Sequence, residues 1–501
     1  MRKLFAAVCL LLAACTATPP PEEPTGPYFS TTFRPVAENG EVIAIDVATR
    51  VVGPEGKTFG LMAPIVYPGS TGVVDRMTNL TVADREGALP LKIRNDPRAL
   101  GGFPYFRHFT ATRDVVYPVT VTYRALVQPK GSPSGPPFGI RPSGGGVSGA
   151  GSTFIMIPEG IGNMPATVRW DLSGLPPGSI GVASFGEGEQ VVSQGPAQLW
   201  QAWYLAGPAP RYPAEGGDAQ GFSAAWLGKF PFDAQAEMQW AGKLYAYLGK
   251  SFAYLDPPPR YRVFMRYLET PPIGGGTALN NSFMLSTGVG GKDTKPRATF
   301  AHEMIHMWVG GIEGPDGVTS WFSEGLTTYY TALLPARGGF FTPEEQAAQI
   351  TAIAKGYWAA PARNWSAAKI AEAGFTDEIT RHVPYNRSAL YFADLDAKIY
   401  AKSKGERRLI DMLQPMFEYR NKGSKFTQAA WVAMLTLELG PEAEKQFKNV
   451  IIDGKDITPV ADAFGPCFER RERVYDADKE SVVGYEWVRK RGVEEDTCRE
   501  W

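Results

Sequence analysis

The run RATFAHEMIHMWVGG, Arg297 to Gly311, constrains this chain more than any other stretch. It holds two of the four histidines in 501 residues, four positions apart, with a glutamate directly after the first. Pro296 precedes it and Gly310-Gly311 closes it. Proline is tolerated at a helix start, where no N–H partner is needed, and glycine ends helices well. A helix is therefore expected, with His302 and His306 one turn apart on one face. Two imidazoles so placed can bind one tetrahedral Zn²⁺, and Glu303 beside them can take a proton from an attacking water. The competing reading is an ordinary buried helix in which Glu303 is an ion-pair partner.

Two histidines alone make a poor site. The run TSWFSEGLTTYYTALL, 319–334, supplies a second helix, with Thr319 or Ser320 as N-cap and Pro335 as its stop. Glu324 lies one turn in, near Trp321, Leu326 and Tyr329. Among such side chains a lone carboxylate is costly to bury, and a place in a metal shell removes that cost. The expected ligand set is His302, His306 and Glu324 around one Zn²⁺ per chain, with a fourth position left to solvent.

These residues carry a family resemblance. HEMIHMW…WFSEGLTTYY resembles the glycyl aminopeptidase family of zinc peptidases, which are gluzincins related more distantly to the large aminopeptidases and leukotriene hydrolases. Glu324-Gly325 matches the Glu-Gly pair of the family's second helix. PYNRSALYFADLDAKI, 384–399, resembles a later family segment, which implies Tyr385 as the phenol that donates to the oxyanion. The alternative is a packed tyrosine at a helix start. His382, three residues earlier, is a candidate substrate-binding residue or a satisfied structural one. The resemblance covers about 210–460 by motif, and 27–206 only in general β character. It implies a thermolysin-like catalytic domain behind an N-terminal β domain, and hydrolysis of peptide bonds in which Glu303 passes its proton to the leaving amine.

The chain departs from the family at one segment. Members carry Gly-Gly-x-Glu-His beside the zinc, and the glutamate helps hold the substrate's free amino group. Here the run is Gly275-Gly276-Thr277-Ala278-Leu279, and alanine cannot bind an ammonium. An aminopeptidase-like enzyme with altered N-terminus recognition and a zinc endopeptidase both remain open. A non-catalytic, zinc-stabilised envelope binding protein is the alternative of another class. Gly275, Gly276 and Asn280 are candidate substrate-binding residues, since a strand there can pair with an extended peptide. The plainer reading is a turn with polar punctuation. The C-terminal PDZ domain of many members is not expected, since about 45 residues follow Asp456.

The rest of the chain sets the context. Residues 1–15, MRKLFAAVCLLLAAC, read as a secretory signal, and Leu12-Ala13-Ala14-Cys15 resembles the lipobox of bacterial lipoproteins. Cys15 would then be acylated, residues 16–26 would form a Pro-rich tether, and the protein would sit in the outer membrane facing the periplasm. The alternative is a plain signal peptide. In that compartment Cys467 and Cys498 are expected to pair, the alternative being two free thiols. No later apolar run reaches roughly 18 residues, so no membrane-spanning helix is expected and the lipid is the only anchor. Lys+Arg 51 against Asp+Glu 52 gives no reason to invoke nucleic acid. The oligomeric state cannot be read.

The expected fold is α+β and multidomain. Residues 27–206 show short alternating runs (EVIAIDVAT, YPVTVTYRALV, STFIMIP) and a glycine-rich loop at 131–152, which together suggest a β-sandwich-like domain with a structural His108. A connection at 206–221 leads to the catalytic domain, 207–455. That domain opens with a helix at 232–252, a strand at 260–268 and a glycine-rich turn, and is mostly helical afterwards. Residues 456–501 are expected as a cysteine-bearing tail.

Overall fold

The strands Tyr28–Glu38 and Glu41–Val52 are joined by Asn39-Gly40, both at positive φ (50° and 81°), the pair that a tight hairpin of this twist requires. They form the middle of a seven-stranded sheet, flanked by Ala166–Trp170 on one side and Val119–Leu126 on the other. The computed structural model to which they belong describes residues 26–501 apart from 54–57, 132–135, 161, 271–274, 291–295, 316, 376 and 479. The signal segment and Cys15 lie outside the described residues. Two five-stranded sheets complete the N-terminal half, and all three contribute to one buried cluster centred on Phe33, Phe154 and Tyr204.

Two expectations fail here for a physical reason. STFIMIP is not a strand: Gly151–Thr153 is a 3₁₀ turn, and only Ile157–Pro158 joins a sheet. The segment is buried nonetheless, because Tyr123 Oη donates to the Phe154 carbonyl and accepts the Met156 N–H, replacing a ladder with a side chain. The glycine-rich stretch 131–152 is not all loop: Arg141–Ser143 and Gly146–Ala150 form a hairpin. Its glycines serve close packing, since a Cβ on Gly149 would lie 2.5 Å from Ile140 and one on Gly146 would lie 2.3 Å from the Ala206 carbonyl.

A fourth sheet ties the two halves together. It runs Arg211–Tyr212, Phe222–Leu227, Tyr261–Leu268, Ser282–Gly288, Gly276–Leu279, with its three central strands parallel. The supposed connection at 206–221 thus already contains an edge strand. The central strands are buried almost throughout because both faces are covered. Tyr261, Val263 and Met265 face the helices, while Phe264 and Met284 meet Trp203 and Leu205 of the N-terminal half.

The helix Ala234–Phe252 is capped by Asp233 and packs across this sheet. The helices Arg297–Val309, Ser320–Arg337 and Val383–Lys402 follow against the same core. Ser320–Arg337 continues two residues past Pro335, which had been expected as its stop. The C-terminal segment is not a loose tail. Phe468–Ala477 and Glu480–Arg489 form a hairpin that packs on the helix Pro343–Trp358, where Gly484 admits the Trp358 ring so closely that a Cβ would sit 2.3 Å from it. Cys467 is disulfide-bonded to Cys498.

Candidate metal and peptidase site

The helix Arg297–Val309 buries Phe300, Ala301, Met304, Ile305 and Trp308, which leaves His302 and His306 on the face turned to the cleft. The helix Ser320–Arg337 brings Glu324 to the same point. Gly325 makes that approach possible, since a Cβ there would lie 2.2 Å from Ser388 Cβ on the helix Val383–Lys402. The Glu-Gly pair thus has a packing reason as well as a chemical one.

The three ligand atoms form a nearly equilateral triangle. His302 Nε2 and His306 Nε2 are 3.2 Å apart, and Glu324 Oε2 is 3.4 Å and 3.2 Å from them. Tetrahedral zinc with bonds of ~2.0–2.1 Å has ligand–ligand edges of roughly 3.3–3.4 Å. Glu324 Oε2 is buried and finds no hydrogen-bond donor, so the three atoms do not satisfy one another. This orphaned oxygen and the triangle around it fit a divalent ion. Burial alone would raise the Glu324 carboxyl, but the facing His306 and His302 rings outweigh it and hold it well below the usual carboxylate range.

Around the triangle lie groups with separate tasks. The Thr327 hydroxyl is 3.3 Å from His306 Nδ1 and fixes that ring from behind. Glu303 is buried next to the ligands, and burial pushes its carboxyl up, partly offset by His302, His306 and the N–H of Ala278. That N–H belongs to the strand Gly276–Leu279, which can approach because Gly276 has no side chain: a Cβ would meet Thr299 at 2.6 Å and Glu303 Oε1 at 2.8 Å. The Tyr385 ring stacks on His302 with centroids 5.9 Å apart, its phenol oxygen accepts from Arg381 Nη1 at 3.1 Å, and burial, with the Glu324 charge next, pushes its pKa up.

His302, Glu303, His306, Glu324, Ala278 and Tyr385 line one cleft of about 940 Å³, as do Gly275, Gly276, Asn280 and His382. His382 has both ring nitrogens engaged: Nδ1 donates to the Glu378 carbonyl at 2.7 Å, and Nε2 accepts from Arg381 at 3.3 Å. Burial, and next the Arg381 charge, lower its pKa, which favours the neutral ring that this pattern needs. Ala278 lies beside Glu303 and presents no carboxylate. Cys467 and Cys498 do not line the cleft; they lie directly before the C-terminal hairpin and on the short helix Glu495–Arg499.

Sequence reasoning missed Thr327, Arg381, and Tyr67, Phe138 and Gln201, which reach the cleft from the N-terminal half. Thr327 is three residues after Glu324 on one helix, a spacing that faces the same side. Arg381 is four before Tyr385, across a helix boundary that hides the relation. The N-terminal residues carry no local signal.

Residues 295–404 match the family described as M61 glycyl aminopeptidase. No curated protein matches the chain in sequence. In fold it is similar to an aminopeptidase N family protein from Idiomarina loihiensis, at a TM-score of 0.69 and 15% identity over 91% of this chain and 81% of that one. It is also similar to a mutant M1 zinc metallopeptidase from Deinococcus radiodurans bound to a Tyr-Ser-Ala substrate, at 0.51 and 16% over 86% of this chain and 95% of that one. At such identities the likeness is one of fold. The match at 295–404 gives that segment the character of an M61 glycyl aminopeptidase domain and supports a metallopeptidase hydrolase, and the fold is that of the M1 aminopeptidases.

Proposed function

We propose that the chain is a zinc-dependent peptidase that hydrolyses peptide bonds with an activated water, aminopeptidase-like but with altered recognition of the substrate's N-terminus. The observation that carries this reading is the triangle of His302, His306 and Glu324 with its orphaned carboxylate oxygen and Glu303 alongside. One Zn²⁺ per chain, held by those three residues, would supply Lewis-acid polarisation of the scissile carbonyl and acidify the attacking water.

The protein's own groups do the rest. Glu303, kept in place by the Ala278 N–H, accepts the proton of the water and delivers it to the leaving nitrogen. Tyr385, whose oxygen accepts from Arg381, donates its hydroxyl to the developing oxyanion, a contribution worth ~10²–10³ in rate for a single donor. The strand Gly276–Leu279 is an edge strand beside Glu303, so an extended peptide can add to it through main-chain bonds. Because Ala278 offers no carboxylate, a free amine is not held by a side chain at that position.

The test is metal content and peptide hydrolysis. Glu303→Ala should retain stoichiometric zinc and lose about 10²–10⁴ in turnover. An alanine variant as active as the parent would end the reading, and full metal loading with no peptide cleaved would favour a binding protein instead. Parallel assays on free and N-acetylated peptides separate the two specificities, since only an endopeptidase accepts the blocked form. We further infer that Cys15 is acylated and anchors the protein in the bacterial envelope; mass spectrometry of the mature N-terminus tests this, and an unmodified Cys15 would refute it.

A further inference from the structure

Among the described residues Arg381 is a cation without a paired anion. It lies in the four-residue helix Glu378–Arg381 and lines the cleft beside Tyr385. Its Nη1 donates to Tyr385 Oη at 3.1 Å, and its Nη2 donates to His382 Nε2 at 3.3 Å. His382 is in turn fixed by its bond to the Glu378 carbonyl. The guanidinium is therefore held at both ends by neutral groups, and no carboxylate among the described residues pairs with it, Glu378 included. Arg297 and Arg408 find acids in Glu237 and Asp396, and Arg266 and Arg420 spend their donors on carbonyls, whereas Arg381 donates only to a phenol and an imidazole.

Five N–H donors sit on a guanidinium, and two are spent here. The rest form a planar edge suited to a carboxylate's two oxygens. Charge around the centre points the same way. A divalent ion with Glu303 and Glu324 would sum to neutrality, Ala278 offers no carboxylate, and Arg381 puts a positive charge at the phenol, while Glu378 lines the same cleft without pairing with it. Beside the phenol the cleft thus offers an anion a guanidinium that no carboxylate occupies, and Glu378 reaches this cluster only through its backbone carbonyl on His382.

We propose that Arg381 forms a carboxylate subsite at the catalytic centre, so that the preferred peptides carry a carboxylate, as an acidic side chain or a free C-terminus, next to the scissile bond. This deepens the peptidase reading and rests on it. Arg381 is a specificity residue, and His382 is the brace that orients it.

The experiment uses the zinc-loaded full chain with matched N-acetyl tripeptides: the free acid, its C-terminal amide, and amides with Glu or Gln beside the cleaved bond. The parent should favour a carboxylate form over its neutral twin by about 10-fold or more, as for a hydrogen bond to a charged group. The acid–amide and Glu–Gln comparisons tell which carboxylate is read. Arg381→Gln should abolish the preference by raising KM more for the carboxylate forms than for their neutral twins, whatever it does to kcat on both through Tyr385, and Arg381→Lys should restore part of it. A parent with no preference overturns the proposal. So does an Arg381→Gln variant that keeps the preference and lowers kcat equally on acids and amides, which would make Arg381 a residue acting only through Tyr385. Binding of the same peptides to the Glu303→Ala enzyme, followed calorimetrically, needs no turnover. Arg381-dependent preference there without hydrolysis by the parent leaves the subsite standing and removes the peptidase reading; hydrolysis without preference does the reverse.

Discussion

The Thr327 hydroxyl lies 3.3 Å from Nδ1 of His306, on the opposite edge of the ring from the Nε2 that faces Glu324. By taking the Nδ1–H it fixes the tautomer and aims the ring. Partners of this kind typically account for 10–100-fold in metal affinity. Thr327→Val keeps the volume and removes the acceptor. It should therefore release zinc to a competing chelator at roughly 10–100-fold lower chelator strength, with little change in the unfolding midpoint of the metal-free protein. Unaltered zinc affinity would mean that packing alone orients His306.

Gly276 sets how near the edge strand comes to the base. An alanine methyl at this position would lie 2.8 Å from Glu303 Oε1 and 2.6 Å from Thr299 Cγ2, closer than real contacts allow. Either the strand retreats or the carboxylate turns, and both separate Glu303 from the Ala278 N–H. Gly276→Ala should lose at least about 10-fold in kcat, since displacements near 1 Å can cost more than that, while zinc content stays stoichiometric. Gly275→Ala, where a Cβ meets nothing within 4 Å, should cost far less. Steady-state kinetics on one peptide compares the two.

How much of this was readable in the sequence depends on how local the cause is. His302, Glu303 and His306 declare themselves because helical period and chemistry coincide within five residues. Glu324 and Tyr385 follow from similar helical contexts and the family resemblance. The hairpin Phe468–Arg489 was hidden because its strands read as charged, Glu-Arg-Arg-Glu-Arg, while only a few residues such as Tyr475 and Trp487 bury against the helical half. STFIMIP was misread because its burial depends on Tyr123, some thirty residues away. Arg381 carries no pattern of its own. Its meaning comes from being unpaired although Asp377 and Glu378 precede it by four and three residues, a relation that only the fold reveals.

Arg266 latches the two halves together. It is fully buried on the strand Tyr261–Leu268, and its donors go to Ser286 Oγ at 3.0 Å and to the carbonyls of Gly139, Ser148 and Pro137 at 2.9, 3.0 and 2.8 Å. Burial, with help from Arg141, pushes its pKa down to about 9. Arg266→Met would leave three carbonyls unsatisfied, at ~1–3 kcal/mol each if no water reaches them. Urea unfolding should show a loss on the order of 3 kcal/mol or more. Phe138 lies next to Pro137 and lines the cleft, so KM should rise as well.

His108, in the N-terminal half, gives the stability a pH dependence separate from the His302–His306–Glu324 triangle. Its Nδ1 is 2.6 Å from Glu159 and its Nε2 is 3.0 Å from Asp96, while Arg94 reaches the same Asp96 oxygen at 2.8 Å. Burial alone would lower the imidazole's pKa, but the hydrogen bonds to Glu159 and Asp96 outweigh it and raise it above the usual 6.5. A raised value in the folded state means that the stabilisation is complete below about 6.5 and is lost as pH climbs through the folded pKa. The carboxylates are 28% and 33% exposed, so screening limits the effect to on the order of 1 kcal/mol. Thermal midpoints taken from pH 6 to pH 9 should therefore fall slightly more steeply for the parent than for His108→Gln, and the gap between the two should narrow as pH rises. Parallel curves would show that the ring is neutral throughout and that one of its two carboxylate contacts is carried by a proton on the acid.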